Sequence, residues 1–567
     1  MDKKFSFERN LLALSVSDPE LCSRLSGAET TLNRYRLLES RSGKIIPAIV
    51  DANGAAHPLH SLVDPRREGE RLVSTLKDEE FLIFLGMGGA FAIEAALERR
   101  ETGRVLIIEY DINGVAELLC SREYVTLFGD PRVNLLVDPP PELLEQYILE
   151  NYQPALSGGI RVLPLRTRTE FSQGSFNRAG EAIQNALDRL SADYSVQAYF
   201  GTRWFSNIIR NLKRAEEQNG PVPPIRRGGN GLRHAAIIAA GPSLDAQLPL
   251  LAEQRSSLYL IAADTSLPAL LHRGLEPDAV ISIDCQHISY YHFMWGLPGH
   301  IPLFLDLASP PLVASRAARP RFFSGGHPLT NYISQVWRPI PQVDTSGANV
   351  TYAALSLAES LGADRIDLYG ADFSYPRGQV YARGAYIFPF FEKQQNRLAP
   401  MEALFSAFLY RSPLSKLGDE NSWYYEMATL RRYRERLEEK LITVNAEVHP
   451  IPGMGAPITV RRPPEQSGRR DLRIFSSGPA RMSSGDFLAE YREGIRSLRP
   501  MKSDLNTYLR SLDDGERLIL ATLLPQAAAI RRRENGLAPA EHPAKKPAEI
   551  IERVREYCVD EIDRITT

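Results

Sequence analysis

The chain has 567 residues, 43% of them hydrophobic and 24% charged, which excludes a fibrous, collagen-like or wholly disordered protein. Its 67 basic and 69 acidic residues leave a formal net charge of −2, so no global field recruits nucleic acid or an anionic membrane. At roughly 150 residues per folding unit, the length predicts three or four units, each able to bury a core unaided by disulfides or metal.

The N-terminus, MDKKFSFERNLLALSVSD, has no uninterrupted apolar stretch of the signal-peptide kind, and no window reaches the roughly 18 apolar residues of a spanning helix. Cys22, Cys120, Cys285 and Cys558 show no C-x-x-C spacing, which predicts free thiols in a cytoplasmic protein without a zinc cluster. The run Phe81 to Gly89, FLIFLGMGG, reads as a buried strand ending in glycines before a helix. Val105 to Asp111, VLIIEYD, is the next strand, with Glu109 standing 23 residues after Gly86. That spacing resembles a dinucleotide or S-adenosylmethionine fingerprint, in which the acid holds ribose hydroxyls. Phe91 stands where a third small residue belongs, so a Rossmann-like fold is expected and its ligand stays open.

Asn219 to Gly231, NGPVPPIRRGGNG, lacks apolar periodicity and reads as an interdomain linker. Beyond it, short apolar runs alternate with helical patterns, which predicts βαβ units and a parallel sheet. The strand HAAIIAA from His234 runs into Gly241-Pro242-Ser243, where glycine permits a sharp turn and Ser243 is expected to cap the next helix. First-turn amides in such a turn suit a phosphate. Four further runs end in polar residues: Leu258 to Asp264 before Thr265, Asp278 to Cys285 with Asp284, Pro341 to Gly347 with Ser346, and Arg365 to Asp372. In a parallel sheet these ends share one rim, so a phosphorylated, hydroxyl-rich ligand is expected there.

The segments AAGPSLD, ADTSLPALLHRGLEPDAVISID and SGANVTYAALSLAESLGADRIDLYGADFSY resemble the central domain of the motility-associated factor (Maf) flagellin glycosyltransferases. More distantly they resemble bacterial sialyltransferases and the archaeal 6-hydroxymethylpterin diphosphokinase. The resemblance implies transfer of a pseudaminic- or legionaminic-type nonulosonic acid from its CMP ester to Ser or Thr of flagellin. Flagellin and the nucleotide-activated sugar would be the partners, with no nucleic acid, membrane, metal or cofactor. It also implies nucleotide-binding roles for Gly241, Pro242, Ser243, Asp264, Ser346 and Gly347, while Thr265, Asp284 and Asp372 are expected to meet the same ligand from their places at the strand ends. Tyr375 and Tyr381 match tyrosines near the leaving phosphate, where phenols donate hydrogen bonds to developing charge.

Two departures stand out. Ala240 replaces the Asn that precedes Gly-Pro-Ser in the sialyltransferases, and no His follows the tyrosine segment between Ala385 and Met401. His327 in FSGGHPLT is the nearest candidate for the missing base. The aromatic-rich stretch Ala382 to Tyr425 is expected to lie over the rim, and Leu441 to Pro457 to return a last strand to the sheet.

A second break spans Ile451 to Arg470. Near the C-terminus, Ile551, Val554, Cys558, Ile562 and Ile565 form one helical stripe, and Arg531 to Arg533 read as a solvated helix end. The expected layout is α/β throughout: an N-terminal Rossmann-like domain over 1–220, a central parallel-sheet domain carrying the chemistry over 221–465, and a helical domain over 466–567. Two alternatives stay open, a pterin-alcohol diphosphokinase using ATP and Mg²⁺, and a non-catalytic flagellin-binding protein.

Overall fold

The computed structural model describes residues 3–566 apart from 32, 77–78, 100, 219, 229–230, 462–474, 503–504 and 536–546. Residues 219 and 229–230 of the first expected break, and 462–470 of the second, lie outside the described residues. The fold is α/β, with two parallel-sheet regions followed by helices. Contacts divide it into two compact units, Met1–Thr202 with Gly494–Cys558, and Arg203–Glu493 with Val559–Thr567.

In the first unit, four parallel strands run in the order Val133–Val137, Arg104–Glu109, Glu79–Leu85 and Gly159–Pro164. Alternate side chains explain why the central runs are apolar throughout. Leu82 and Phe84 enter one core and Phe81, Ile83 and Leu85 the other. The expected strands at Phe81 and Val105 are therefore present. The fingerprint reading of Glu109 is corrected: this carboxylate is buried, accepts the Met87 amide at 2.7 Å and pairs with buried Arg168 at 2.9 Å. His60 Nε2 accepts the Gly89 amide at 2.7 Å, and a Cβ on Gly88 would stand 2.6 Å from that nitrogen. Protein groups thus fill the place a ribose and phosphate would take.

The second unit holds seven parallel strands, in the order Pro320–Phe323, Leu303–Asp306, Ala279–Ser282, Tyr259–Ala263, His234–Ile238, Arg365–Tyr369 and Glu447–Pro450. Glu447–Pro450 returns to the sheet edge as expected. The run Pro341 to Gly347 is not a strand; it touches the sheet through one bridge, Gln342 to Ser324. The sheet instead gains Leu303–Asp306 and Pro320–Phe323, four residues each. Asn219 to Gly231 is not a free linker either. Val222 and Ile225 are buried in the sheet's core, and the Val222 amide donates to the Phe475 carbonyl at 2.9 Å.

The C-terminal stripe lies on the helix Pro547–Thr566, where Ile551, Val554, Cys558 and Ile562 are buried. Arg532 and Arg533 are exposed as expected, the first over the Tyr199 ring and the second donating to Thr202, whereas Arg531 is buried and donates to the Ala155 carbonyl.

Replacing Arg168 with Met leaves Glu109 buried without its cation. The expected cost is about 3–5 kcal/mol, read as a fall in the urea midpoint of the first unit, and Glu109→Gln added to it restores part of the loss. An unchanged midpoint in Arg168→Met contradicts the assignment.

Candidate functional site

The strand order reverses between His234–Ile238 and Arg365–Tyr369, the place where open parallel sheets form a crevice at their carboxyl ends. Here the crevice is closed by protein. Asp372 accepts the Ser243 amide at 2.8 Å and the Ser243 hydroxyl at 2.5 Å, and Ser243 Oγ accepts the Met454 amide at 2.7 Å. The next amides, of Leu244, Asp245 and Ala246, donate to the carbonyls of Gly241, Pro242 and Ser243. Ser243 itself has helical backbone angles and makes no side-chain cap, so its expected capping role is corrected. The anion at the start of helix Leu244–Gln254 is the Asp372 carboxylate, standing where the sequence led us to expect a phosphate. Burial pushes the Asp372 carboxyl up against the hydrogen bonds from Ser243.

The open part of the rim lies over the neighbouring strands. Asp264, Asp284 and Asp306 stand at the carboxyl ends of three adjacent strands. Asp264 is buried and accepts the Thr265 amide at 2.7 Å and the Ser282 hydroxyl at 2.6 Å. His292 Nδ1 stands 3.2 Å from Asp264 Oδ2, yet it is buried without a hydrogen bond. The sequence reading missed this histidine. It sits on a short 3₁₀ helix, His287–Phe293, 28 residues beyond Asp264 in the chain, and only the sheet brings the two together. His327 occupies a parallel position, with Nε2 3.6 Å from Asp306 Oδ1 and its ring 4.5 Å from that of Trp204. Between the two pairs lies Cys285, whose thiol burial pushes up to about 12, with the Asp284 charge adding to it.

The stretch after Gly370 covers the Asp264 pair. Tyr375–Pro376 joins Trp423–Met427 and Leu414–Gly418 in a small antiparallel sheet, accompanied by helices Ile387–Gln394 and Met401–Leu409. The Ala382 amide donates to the Ala240 carbonyl at 2.9 Å, and the Tyr386 ring stands 4.6 Å from His292. The expected element over the rim is present, built around Tyr375, Val380, Leu409 and Met427. Burial raises the phenols of Tyr375, Tyr381 and Tyr386, while Arg411 opposes the rise in all three. These phenols stay protonated at neutral pH and are hydrogen-bond donors.

Ser346 and Gly347 line a cavity of about 370 Å³ with Tyr352, Arg436 and Lys440. Arg436 donates to the Ser346 carbonyl at 2.9 Å. On the same helix, Ala428–Thr443, burial raises the Tyr433 phenol, with Arg436 opposing the rise and Asp284 adding to it. Among the described residues no group of three or more His, Cys, Asp or Glu side chains is placed to hold a metal ion, and no helix is long and apolar enough to cross a membrane.

A family model described as 6-hydroxymethylpterin diphosphokinase MptE-like matches residues 206–378. Three proteins of Treponema pallidum (strain Nichols), each described as uncharacterized, are 34%, 32% and 30% identical over 145, 152 and 186 residues. The matches cover 26%, 26% and 32% of this chain and 67%, 54% and 31% of those proteins. The chain thus spans about half of the second relative and a third of the third. It belongs to one family with the first, whose description assigns no activity. Among solved structures, the Maf glycosyltransferase of Magnetospirillum magneticum AMB-1 matches 100% of this chain and 96% of its own, with a TM-score of 0.59 and 13% identity. At that identity the likeness establishes the fold: this chain is built like a Maf glycosyltransferase along its length.

Two carboxylates at the site respond oppositely to pH. Burial pushes Asp284 up, and the charge of Asp264 adds to this, against the Gln286 amide. Its ionisation therefore opposes folding: stability is full below about pH 4, the ordinary carboxylate range, and falls as pH rises through the folded value. Asp284→Asn is expected to melt higher than the native protein at pH 7, the two converging near pH 3. For Asp344, burial raises the carboxyl, but hydrogen bonds from Ser346, Tyr352 and Lys440 prevail and hold it at about 2. Its contribution is present above about pH 4 and fades as pH falls toward 2. Melting temperatures of Asp284→Asn and Asp344→Asn across pH 2–8 check both signs.

Proposed function

We propose that this chain is a glycosyltransferase that moves a nonulosonic acid from its CMP-activated donor to a Ser or Thr hydroxyl of flagellin. One observation carries the reading: a buried Asp–His pair at the rim, roofed by protonated tyrosines, in a fold shared with a Maf glycosyltransferase. His292 is a general base in this proposal, with the Asp264 carboxylate 3.2 Å from its Nδ1 to favour the imidazolium that forms. The acceptor oxygen attacks the anomeric carbon as its proton passes to His292. The bond from that carbon to the phosphate oxygen breaks, and CMP leaves with the electron pair. Tyr375, Tyr381 and Tyr386 donate toward the charge that gathers on the phosphate. Arg411, beside these phenols, suits the carboxylate that distinguishes a nonulosonic acid from a neutral sugar.

Ser346 and Gly347, with Arg436, take the nucleotide end. Asp284 and Thr265 line its path, and Gly241, Pro242, Ser243 and Asp372 shape the floor as a closed turn. The donor carries its own leaving group, so the scheme calls for no cofactor. The central segment, 221–465, is the proposed seat of the chemistry in a cytoplasmic protein, with residues 1–220 and 466–567 serving the acceptor.

A second reading has one observation in its favour, the MptE-like family model over residues 206–378. In that reading carboxylates such as Asp264, Asp284 and Asp372 would meet Mg²⁺ through water, and diphosphate passes from ATP to a pterin alcohol with release of AMP.

The test incubates purified protein with CMP-activated pseudaminic or legionaminic acid and native flagellin, following CMP and the intact mass of flagellin. CMP release that depends on flagellin, with a matching mass gain, is expected. His292→Gln should lower kcat by about 10²–10⁴-fold. His327→Gln should lower it by less than about tenfold, and the reverse order moves the base to His327. No turnover of either donor, with EDTA-sensitive AMP release from ATP and a pterin alcohol, favours the diphosphokinase. Silence in both assays with flagellin still bound leaves a non-catalytic binding protein.

A further inference from the structure

At the opposite end of the seven-stranded sheet, where the strands begin, lies a second cavity of about 710 Å³. Residues just before or at the start of five strands line it: His234, Leu258, Asp278, Pro302 and Arg319. Five arginines face it, Arg226, Arg227, Arg255, Arg319 and Arg321, against two carboxylates, Glu253 and Asp278. Asp278 is already committed, to Arg255 at 3.1 Å and to the Leu260 amide at 2.8 Å. His234 is likewise held, by Asp367 at 2.9 Å.

Arg319 and Arg321 lie two residues apart at the outermost strand, and strand geometry sends both to one side. Like charges so placed repel, and burial together with Arg319 lowers the Arg321 guanidinium from its usual range. Pro223, Pro224, Ile225, Pro302 and the half-buried Tyr259 ring supply apolar lining, beside the polar Ser256 and Ser257. Guanidinium groups match phosphate oxygens in pairs, and the volume is that of a small-molecule site.

We propose that this cavity binds a nucleoside polyphosphate, its phosphates on Arg319, Arg321 and the Arg226–Arg227 pair and its base against the prolines and Tyr259. Catalytic ligands of open parallel sheets occupy the other end, so this is an effector site, separate from the rim. In a chain of net charge −2 it is the kind of local site an anion requires. The inference does not depend on the glycosyltransferase reading, because it concerns only binding at the strand entrances.

The test is calorimetry on the full chain with ATP, GTP, inorganic tripolyphosphate and a hexaglutamate peptide, at two salt concentrations. The expected result is binding of ATP or GTP that weakens with salt. The double substitution Arg319→Gln/Arg321→Gln weakens it at least tenfold, Arg319→Lys/Arg321→Lys weakens it less, and Asp264→Asn at the rim leaves it unchanged. Circular dichroism and melting confirm that the variants are folded, and the lysine pair serves if the glutamine pair is not. The proposal is overturned if neither nucleotide binds, if the arginine variants bind as tightly as the native protein, or if Asp264→Asn abolishes binding. Tripolyphosphate binding as tightly as ATP removes the base from the site and overturns the nucleoside assignment. Binding of hexaglutamate alone makes the cavity an acidic-peptide site and equally overturns it.

Discussion

The arrangement of the second unit turns on a carboxylate at the switch point of its sheet. Asp372, beyond the strand Arg365–Tyr369, holds the amide and hydroxyl of Ser243, beyond the strand His234–Ile238. The loop after the last strand closes over both, since Ser243 Oγ accepts from Met454 and the Asp372 carbonyl accepts from Ala456. Three strand ends are thereby tied at one point. Glycine is required on each side of it. A Cβ on Gly241 would stand 2.4 Å from the Gly370 carbonyl oxygen, and one on Gly455 would stand 2.5 Å from Asp372. These glycines serve close packing, and the negative charge a helix start favours is supplied from within the chain.

With that crevice filled, the open part of the rim lies over strands that end in Asp264, Asp284 and Asp306. There the sheet sets two Asp–His pairs side by side. One lies under the tyrosine-bearing element, and the other lies against Trp204, near the last turns of helix Gln173–Glu217. Asn207 and Asn211 on that helix donate to the carbonyls of Cys285, Leu307, Ala308 and Ser309, satisfying backbone that would otherwise be buried unpaired at the strand ends. The same rim is therefore firm at one end and, at His292, carries a buried nitrogen that lies 3.2 Å from Asp264 without making a hydrogen bond.

Strands such as HAAIIAA and FLIFL were legible because a parallel sheet buries both of their faces, which leaves a continuous apolar run. The C-terminal stripe was legible for the corresponding reason at helical period. Leu303–Asp306 and Pro320–Phe323, four residues each, were not legible, whereas Pro341 to Gly347 carries the polar ending that marked the other strand ends but meets the sheet only at Gln342. In the candidate site, Ser346-Gly347 and Asp264-Thr265 were legible as local patterns at the ends of expected strands. The site was not legible where contacts are distant. Asp372 meets Ser243 across 129 positions, and Glu109 meets Arg168 across 59. In both cases the sequence displayed glycine turns that look ready for a phosphate, while the groups that fill them lie far along the chain.

The central claim is that a nucleotide occupies the rim beside Ser346, Tyr381 and the Asp264–His292 pair, and leaves the Ser243 turn closed. A crystal structure with CMP bound tests it most directly. The expected result has the phosphate between Ser346–Gly347 and the tyrosines, with both hydrogen bonds from Ser243 to Asp372 intact. A phosphate seated on the Ser243 amide, with the Asp372 carboxylate turned away, would contradict it.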